Sequence, residues 1–178
     1  MSVRFSTADR QNVVQQAYHV ADIDAAIARW HELLGIGPFL VRRHIQLEQV
    51  RYRGAASTLD ISAAHAQAGD VQIELVQQHC DSPSAFRDMF SPEDEGLHHV
   101  ALFPDDYETM VAHYNHLGHS TATELITGEG RGAAFIDTRA VLGHMVEIYR
   151  PNDSLVRFYE QIEEASLNWD RRALAIEV

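Results

Sequence analysis

Two stretches of the chain, Val13 to Val20 and Leu97 to Phe103, are rich in apolar and β-branched or aromatic residues and read as strands. Each runs into a segment whose apolar positions recur three and four residues apart, the mark of a helix with one buried face. In the first segment those positions are Ile23, Ala26, Ile27, Trp30, Leu33 and Leu34, with Asp22 placed to cap the start and Gly35 to end it. In the second they are Tyr107, Met110, Val111, Tyr114 and Leu117, with Asp105 or Asp106 as the cap and Gly118 as the stop. Strand material follows each helix. After the first come Phe39 to Arg43, Val50 to Arg53, Thr58 to Gln67 and Val71 to Gln77; after the second come Thr121 to Leu125, Gly132 to Thr138 and His144 to Tyr149. Gly69-Asp70 marks a hairpin between the last two strands of the first half, and Leu142-Gly143 holds the same place in the second. Beyond Pro151 a last helix is expected from Asp153 to about Leu167, with Leu155, Phe158, Tyr159, Ile162 and Ala165 as its apolar stripe.

Both halves are read as strand–helix–strand–strand–strand, with one strand stretch more in the first, an internal duplication. The pattern predicts an α+β fold of two tandem βαβββ modules in a curled mixed sheet. The modules fall at residues 10–81 and 97–150, with a charged, proline-containing linker at 82–96 and a C-terminal helix and tail at 151–178. A four-stranded curled sheet with one helix leaves one face bare, so two side by side form a trough in which a ligand would sit.

At 178 residues and 46% hydrophobic, the chain suffices for one well-packed domain or two small fused modules. No apolar run nears the roughly 20 residues of a membrane helix, and Met1 to Arg10 lacks the apolar centre of a signal peptide. The single cysteine, Cys80, excludes an internal disulfide framework and a cysteine-rich zinc site. These features point to a cytoplasmic protein with no membrane partner. A formal charge of −12 repels phosphate backbones and argues against nucleic-acid partners. All 14 basic residues are arginines, which removes lysine Schiff-base chemistry. Eleven histidines are many for this length, and their positions matter more than their number.

Superposing the halves with an offset of 84 puts Asp22 on Asp106, Ala17 on Ala101 and Gln15 on His99. The last strands of the two halves, Val71 to Gln77 and His144 to Arg150, place Glu74 and Glu147 alike, each flanked by apolar residues. A lone glutamate in a strand generally faces solvent, and a lone histidine is more often a core residue than a ligand. An acid in an apolar strand is costly unless paired or ligated, and its recurrence at repeat-equivalent positions asks for one explanation. Gln15, Glu74, His99 and Glu147 would offer three oxygens and a nitrogen to one divalent cation. A six-coordinate ion would keep two positions for neighbouring oxygens of a substrate.

The motifs that carry these residues are Gln15-x-Ala-x-His-Val-x-Asp-x-Asp24, Ile73-Glu-Leu-Val-Gln77, His98-His-Val-Ala-Leu102 and Met145-Val-Glu-Ile-Tyr149. Together they resemble those of the vicinal oxygen chelate superfamily, and within it the glyoxalase and methylmalonyl-CoA epimerase branch. The likeness runs from about Val13 to Tyr149. It implies paired βαβββ modules around a trough with one divalent metal ion (zinc, nickel, cobalt, manganese, magnesium or iron) held by Gln15, Glu74, His99 and Glu147. It also implies an isomerase, epimerase or lyase working through a metal-stabilised enolate or enediolate, and a homodimer. Epimerases of this kind often have histidine where this chain has Gln15, and some glyoxalases have glutamine. The two-histidine, one-carboxylate set of extradiol dioxygenases is not matched. Non-catalytic members that sequester a small ligand are the alternative.

Glu147 is the first candidate for the base that moves the proton, as a ligand that swings off or a carboxylate sharing the metal. His19 shares the strand face of Gln15, about 13 Å further along, and is expected to line the trough as a second acid–base or substrate contact. Glu48 is a weaker base candidate. His98 is expected to point away from His99 and to be structural. Arg42, Arg43, Arg51 and Arg53 suit either a substrate carboxylate or phosphate or a solvated strand face. His113, His116 and His119 are expected at the surface, and Trp30 and the C-terminal helix in packing or subunit contacts. A thioester, thiohemiacetal, hydroxyketone or polyol would each suit such a site.

Overall fold

A computed structural model describes residues 12–178, so the expected N-terminal features in Met1 to Gln11, including the first two residues of the 10–81 module, lie outside the described residues. The elements, in chain order, are β1 (Val13–His19), α1 (Ile23–Leu34), β2 (Phe39–Arg42), β3 (Leu47–Tyr52), β4 (Ala55–Ala56), β5 (Ile61–Ala68), β6 (Val71–Gln78), β7 (Gly96–Leu102), α2 (Tyr107–His116), β8 (Thr121–Thr127), β9 (Gly132–Ile136), α3 (Arg139–Leu142), β10 (Met145–Tyr149), α4 (Asp153–Leu167) and β11 (Ala175–Glu177). The caps act as the sequence requires. Asp22 and Asp106 have extended backbones and accept from the amides of Ala25 and Thr109 at 2.9 and 3.0 Å. Gly35 closes α1 in the left-handed conformation, φ 68°.

The strands form one mixed sheet in the order β11-β2-β5-β6-β1-β7-β10-β9-β8-β3-β4. Its centre repeats itself. β1 runs parallel to β6 with Ala17 beside Glu74, and β7 runs parallel to β10 with Ala101 beside Glu147. The halves join where β1 and β7 pair antiparallel. Alternation along β6 sends Ile73 and Leu75 outward against α1, and along β10 it sends Val146 and Ile148 against α2. Glu74 and Glu147 therefore face inward, on the concave side.

Three expectations are corrected. The first half has two strands beyond a βαβββ unit: β3 leaves it to pair with β8, on the far edge of the other half, and the two-residue β4 pairs with β3. The second half has no dipeptide hairpin at Leu142-Gly143; the one-turn helix α3 fills that connection. Leu33, Leu34 and Leu117 are 78%, 62% and 57% exposed rather than buried, since the last turns of α1 and α2 overrun the sheet they pack on. Within the 82–96 segment Ala85 and Phe86 are buried, and the Ala85 amide donates to Thr123 Oγ1 at 2.9 Å. Among the described residues, no helix is long and apolar enough to cross a membrane.

After Tyr149 the chain crosses the open side of the sheet as α4, burying Leu155, Phe158, Tyr159 and Ile162. It then returns to pair β11 parallel with β2. Trp169 fastens this tail. A Cβ added at Gly37 (φ 154°) would meet the Trp169 ring at 2.8 Å, so only glycine permits the contact. Gly37→Ala is expected to lift Trp169 off, shifting its fluorescence to longer wavelength and exposing the tail to proteolysis; an unchanged spectrum would contradict this seating.

Candidate active site

The concave face of the sheet and the inner stripe of α4 enclose a trough of about 670 Å³, part of it open to solvent. At its floor three ligand atoms, one each from Glu74 on β6, His99 on β7 and Glu147 on β10, lie within 4.8 Å of one another. His99 Nε2 is 3.0 Å from Glu147 Oε2 and 3.4 Å from Glu74 Oε2. These close approaches lack hydrogen-bond alignment: His99 Nε2 and Glu147 Oε2 are both buried without a hydrogen-bond partner. Gln15 lines the same floor, its Oε1 accepting from Tyr149 Oη at 2.8 Å while its Nε2 is also unpartnered.

The charges are arranged around one point. Burial favours neutral groups, and it raises the Glu147 carboxyl above its ordinary range against the pull of His99. Burial opposes ionisation of Glu74 as well, yet the imidazoles of His65 and His99 outweigh it and hold that carboxyl well below the usual range. For His99, too, burial works against the charge, but the Glu147 and Glu74 carboxylates win and push it up to about 9. The site thus demands positive charge between its two acids, which a proton on His99 or a cation can supply.

The donor set fits a divalent cation. Two carboxylates and an imidazole converging on a common point, with Glu147 Oε2 and His99 Nε2 unpartnered, are what such an ion binds. Gln15 completes the set after a half-turn of its amide, which lets Nε2 donate to Tyr149 Oη and puts the carbonyl oxygen where the unpartnered Nε2 stands.

Two histidines support the floor in ways the sequence reading missed. His65 on β5 stands directly opposite Glu74, with Nε2 3.1 Å from Oε1. The signal was present: a hairpin turning at Gly69-Asp70 puts position 65 against position 74. His98 corrects the expectation that it points away from His99. In the β1–β7 ladder Ala17 faces His99 and Tyr18 faces Leu97, so His98 is an extra residue, a β-bulge. The bulge breaks the alternation and brings His98 Nδ1 to 2.7 Å from His99 Nδ1. Burial first, and the neighbouring His99 second, hold His98 well below its ordinary pKa, hence neutral. Its bare Nδ1 then accepts the Nδ1–H of His99 and leaves His99 Nε2 aimed at the carboxylates.

The other candidates fall elsewhere. His19 keeps the face of Gln15 but does not line the trough: the 82–96 segment folds over this end of β1, stacking Phe90 on the ring at 5.4 Å and setting Asp94 O and Arg87 Nη1 on its nitrogens at 2.7 and 3.1 Å. Glu48 is exposed on β3, where its neighbour Leu47 is the residue turned to the trough. The arginine group disperses. Arg43 pairs with Asp24 and Glu177, Arg53 with Asp88 and Asp137, and Arg51 bonds Gly54 O. Only Arg42 of the four lines the trough, where it and Arg131 share Glu129 Oε2 at 2.9 and 3.0 Å and lie over the Phe158 ring. Two guanidiniums on one carboxylate leave the mouth net positive above an acidic floor.

Residues 14–135 match the family model described as the Glyoxalase/Bleomycin resistance protein/Dioxygenase superfamily. No curated protein matches. Solved structures of similar fold include methylmalonyl-CoA epimerase from Mycobacterium tuberculosis, at 19% identity and TM-score 0.54 over 82% of this chain and 91% of that one. A hypothetical protein from Bacillus halodurans C-125 gives 17% identity and TM-score 0.56 over 80% and 95%. A Streptomyces coelicolor methylmalonyl-CoA epimerase variant in complex with 2-nitronate-propionyl-CoA gives 14% and 0.50 over 77% and 94%. At these identities the likeness concerns the fold.

Proposed function

The chain belongs to the Glyoxalase/Bleomycin resistance protein/Dioxygenase superfamily, and on that premise we propose that it is a divalent-metal-dependent isomerase, epimerase or lyase that moves a proton beside a carbonyl group. The observation that carries this reading is the convergence of ligand atoms from Glu74, His99 and Glu147 at the floor of the trough, with His99 Nε2 and Glu147 Oε2 buried and unpartnered. Gln15, Glu74, His99 and Glu147 would hold the ion. A divalent ion held there would supply Lewis-acid chemistry, polarising neighbouring substrate oxygens and so acidifying the adjacent C–H.

The chain's own residues do the rest. Glu147, with Oε2 free of hydrogen bonds and facing the trough, takes and returns the proton. Glu74 is held in place by His65 and serves as a ligand only. His98 is a positioning residue that keeps the Nε2 lone pair of His99 on the trough side. Arg42 and Arg131 at the mouth suit a carboxylate or phosphate on the substrate, away from the reacting carbon. Phe86, Phe135 and Phe158 exclude water. Among substrates of that description are acyl-CoA thioesters, the ligand class in complex with the Streptomyces epimerase. The aromatic walls also suit a sequestering protein without chemistry, but such a protein has no use for two buried carboxylates.

The test is proton exchange. Methylmalonyl-CoA incubated in D2O with the zinc-, cobalt- or nickel-loaded protein should lose its C2 proton signal by NMR, and chelation should stop the loss. No exchange of this substrate, or of hemithioacetal and hydroxyketone analogues, with any of these ions would remove the reading. His98→Phe, which keeps the stack on Phe86, should lower zinc affinity by about 10- to 100-fold with little change in melting temperature; unchanged affinity would make His98 mere packing.

A further inference from the structure

A second group of metal-ligating side chains lies outside the trough. His44 follows β2, Asp60 precedes β5 and His79 follows β6, and each brings one ligand atom within 4.8 Å of the other two. We infer that His44, Asp60 and His79 form a separate binding site for a borderline divalent transition metal such as zinc, which clips the rim of the trough.

The local chemistry supports it. The imidazoles of His44 and His79 lie with ring centroids 4.4 Å apart, a contact that two imidazolium ions would resist. His44 Nδ1 is 2.8 Å from Asp60 Oδ1, so this carboxylate already faces one ligand nitrogen. The buried hydroxyl of Ser62 anchors both histidines, accepting the His44 backbone N–H at 3.1 Å and contacting His79 Nε2 at 2.8 Å. A serine oxygen has two lone pairs, and with His79 Nε2–H donating to it the free lone pair of that ring sits on Nδ1. His44 holds its place with φ 46°, a left-handed backbone that a β-carbon disfavours. Two neutral imidazoles and one carboxylate select zinc, copper, nickel or cobalt over magnesium or calcium. His44 and Asp60 side chains are 63% and 44% exposed, so water can fill the remaining position.

The consequence for the trough is direct. Ile45 and Ile61, next in sequence to His44 and Asp60, both line it, and the Ile45 amide donates to Ile61 O at 2.8 Å. An ion outside this wall would hold the start of β5 against the β2–β3 corner. The site rests on residues that the trough chemistry does not use.

Equilibrium dialysis against micromolar zinc with millimolar magnesium present, followed by elemental analysis, is the test. His44→Ala and His79→Ala should each hold one equivalent less zinc than the parent protein, while Glu147→Gln keeps that equivalent. Zinc should also raise the melting temperature of Glu147→Gln more than that of Glu147→Gln/His79→Ala. Equal zinc content in the parent and both histidine variants, or an extra equivalent that appears only at millimolar zinc, would overturn the site. If the trough alone fails to bind, the parent still holds one equivalent that both histidine variants lack. Should His79→Ala not fold, His44→Ala, whose side chain is mostly exposed, decides alone.

Discussion

Replacing Glu147 by glutamine is expected to lower kcat/KM about 1,000-fold, and excess metal is not expected to restore it. Glu74→Gln, an equally isosteric change nearby, should behave differently. It weakens the ion's hold but leaves the proton carrier intact, so most of the activity should return at saturating metal. The difference follows from what each carboxylate touches. Glu74 has Oε1 committed to His65 at 3.1 Å and lies between two imidazoles that keep it ionised. Such a group is a good ligand and a poor base. Glu147 presents an unpartnered Oε2 to the trough and stands beside only one imidazole, with burial pulling it toward its protonated form. That environment suits a group that gains and loses a proton during turnover. Kinetics of both variants over a metal titration, with bound metal measured in the same samples, separate the two roles. Equal rescue of both variants would reassign the base, and failure of both to respond would make each carboxylate an indispensable ligand.

Much of this arrangement was legible in the sequence, for identifiable reasons. The duplication could be found because strands one residue out of register would turn their acids to the wrong face, so Ala17/Glu74 and Ala101/Glu147 recur in like register. What the sequence hid were departures from regularity and contacts between distant segments. The bulge at His98 obeys no composition rule, and strict alternation sends that ring the wrong way. Parity puts His19 on the face of Gln15 but cannot show the cover that removes it from the trough, which comes from residues some seventy positions later. Arg42 looked like one of four similar arginines until β3 crossed to β8 and Arg43, Arg51 and Arg53 found other partners. Periodicity located α4 correctly but gave no sign of which surface its stripe would cover.

That surface gives the other large effect. Phe158→Ala is expected to destabilise the fold by about 3 kcal/mol, because a buried ring in contact with Leu40 and Ile162 leaves a cavity the helix cannot close. Stability alone would not distinguish a lid from packing. The same ring carries the Arg131 guanidinium at 4.6 Å and Arg42 at 5.8 Å, and meets the edge of His65 at 5.0 Å. It therefore links the cationic mouth to the residue that steadies Glu74. Phe158→Leu refills much of the volume but offers no aromatic face, so it should recover most of the melting temperature while KM for an anionic substrate stays raised about threefold to tenfold, the worth of one or two cation–π contacts at a partly exposed site. A leucine variant with the parent KM would reduce α4 to a packing helix. One with the parent kcat and a raised KM would make it the wall that seats the substrate's anionic end.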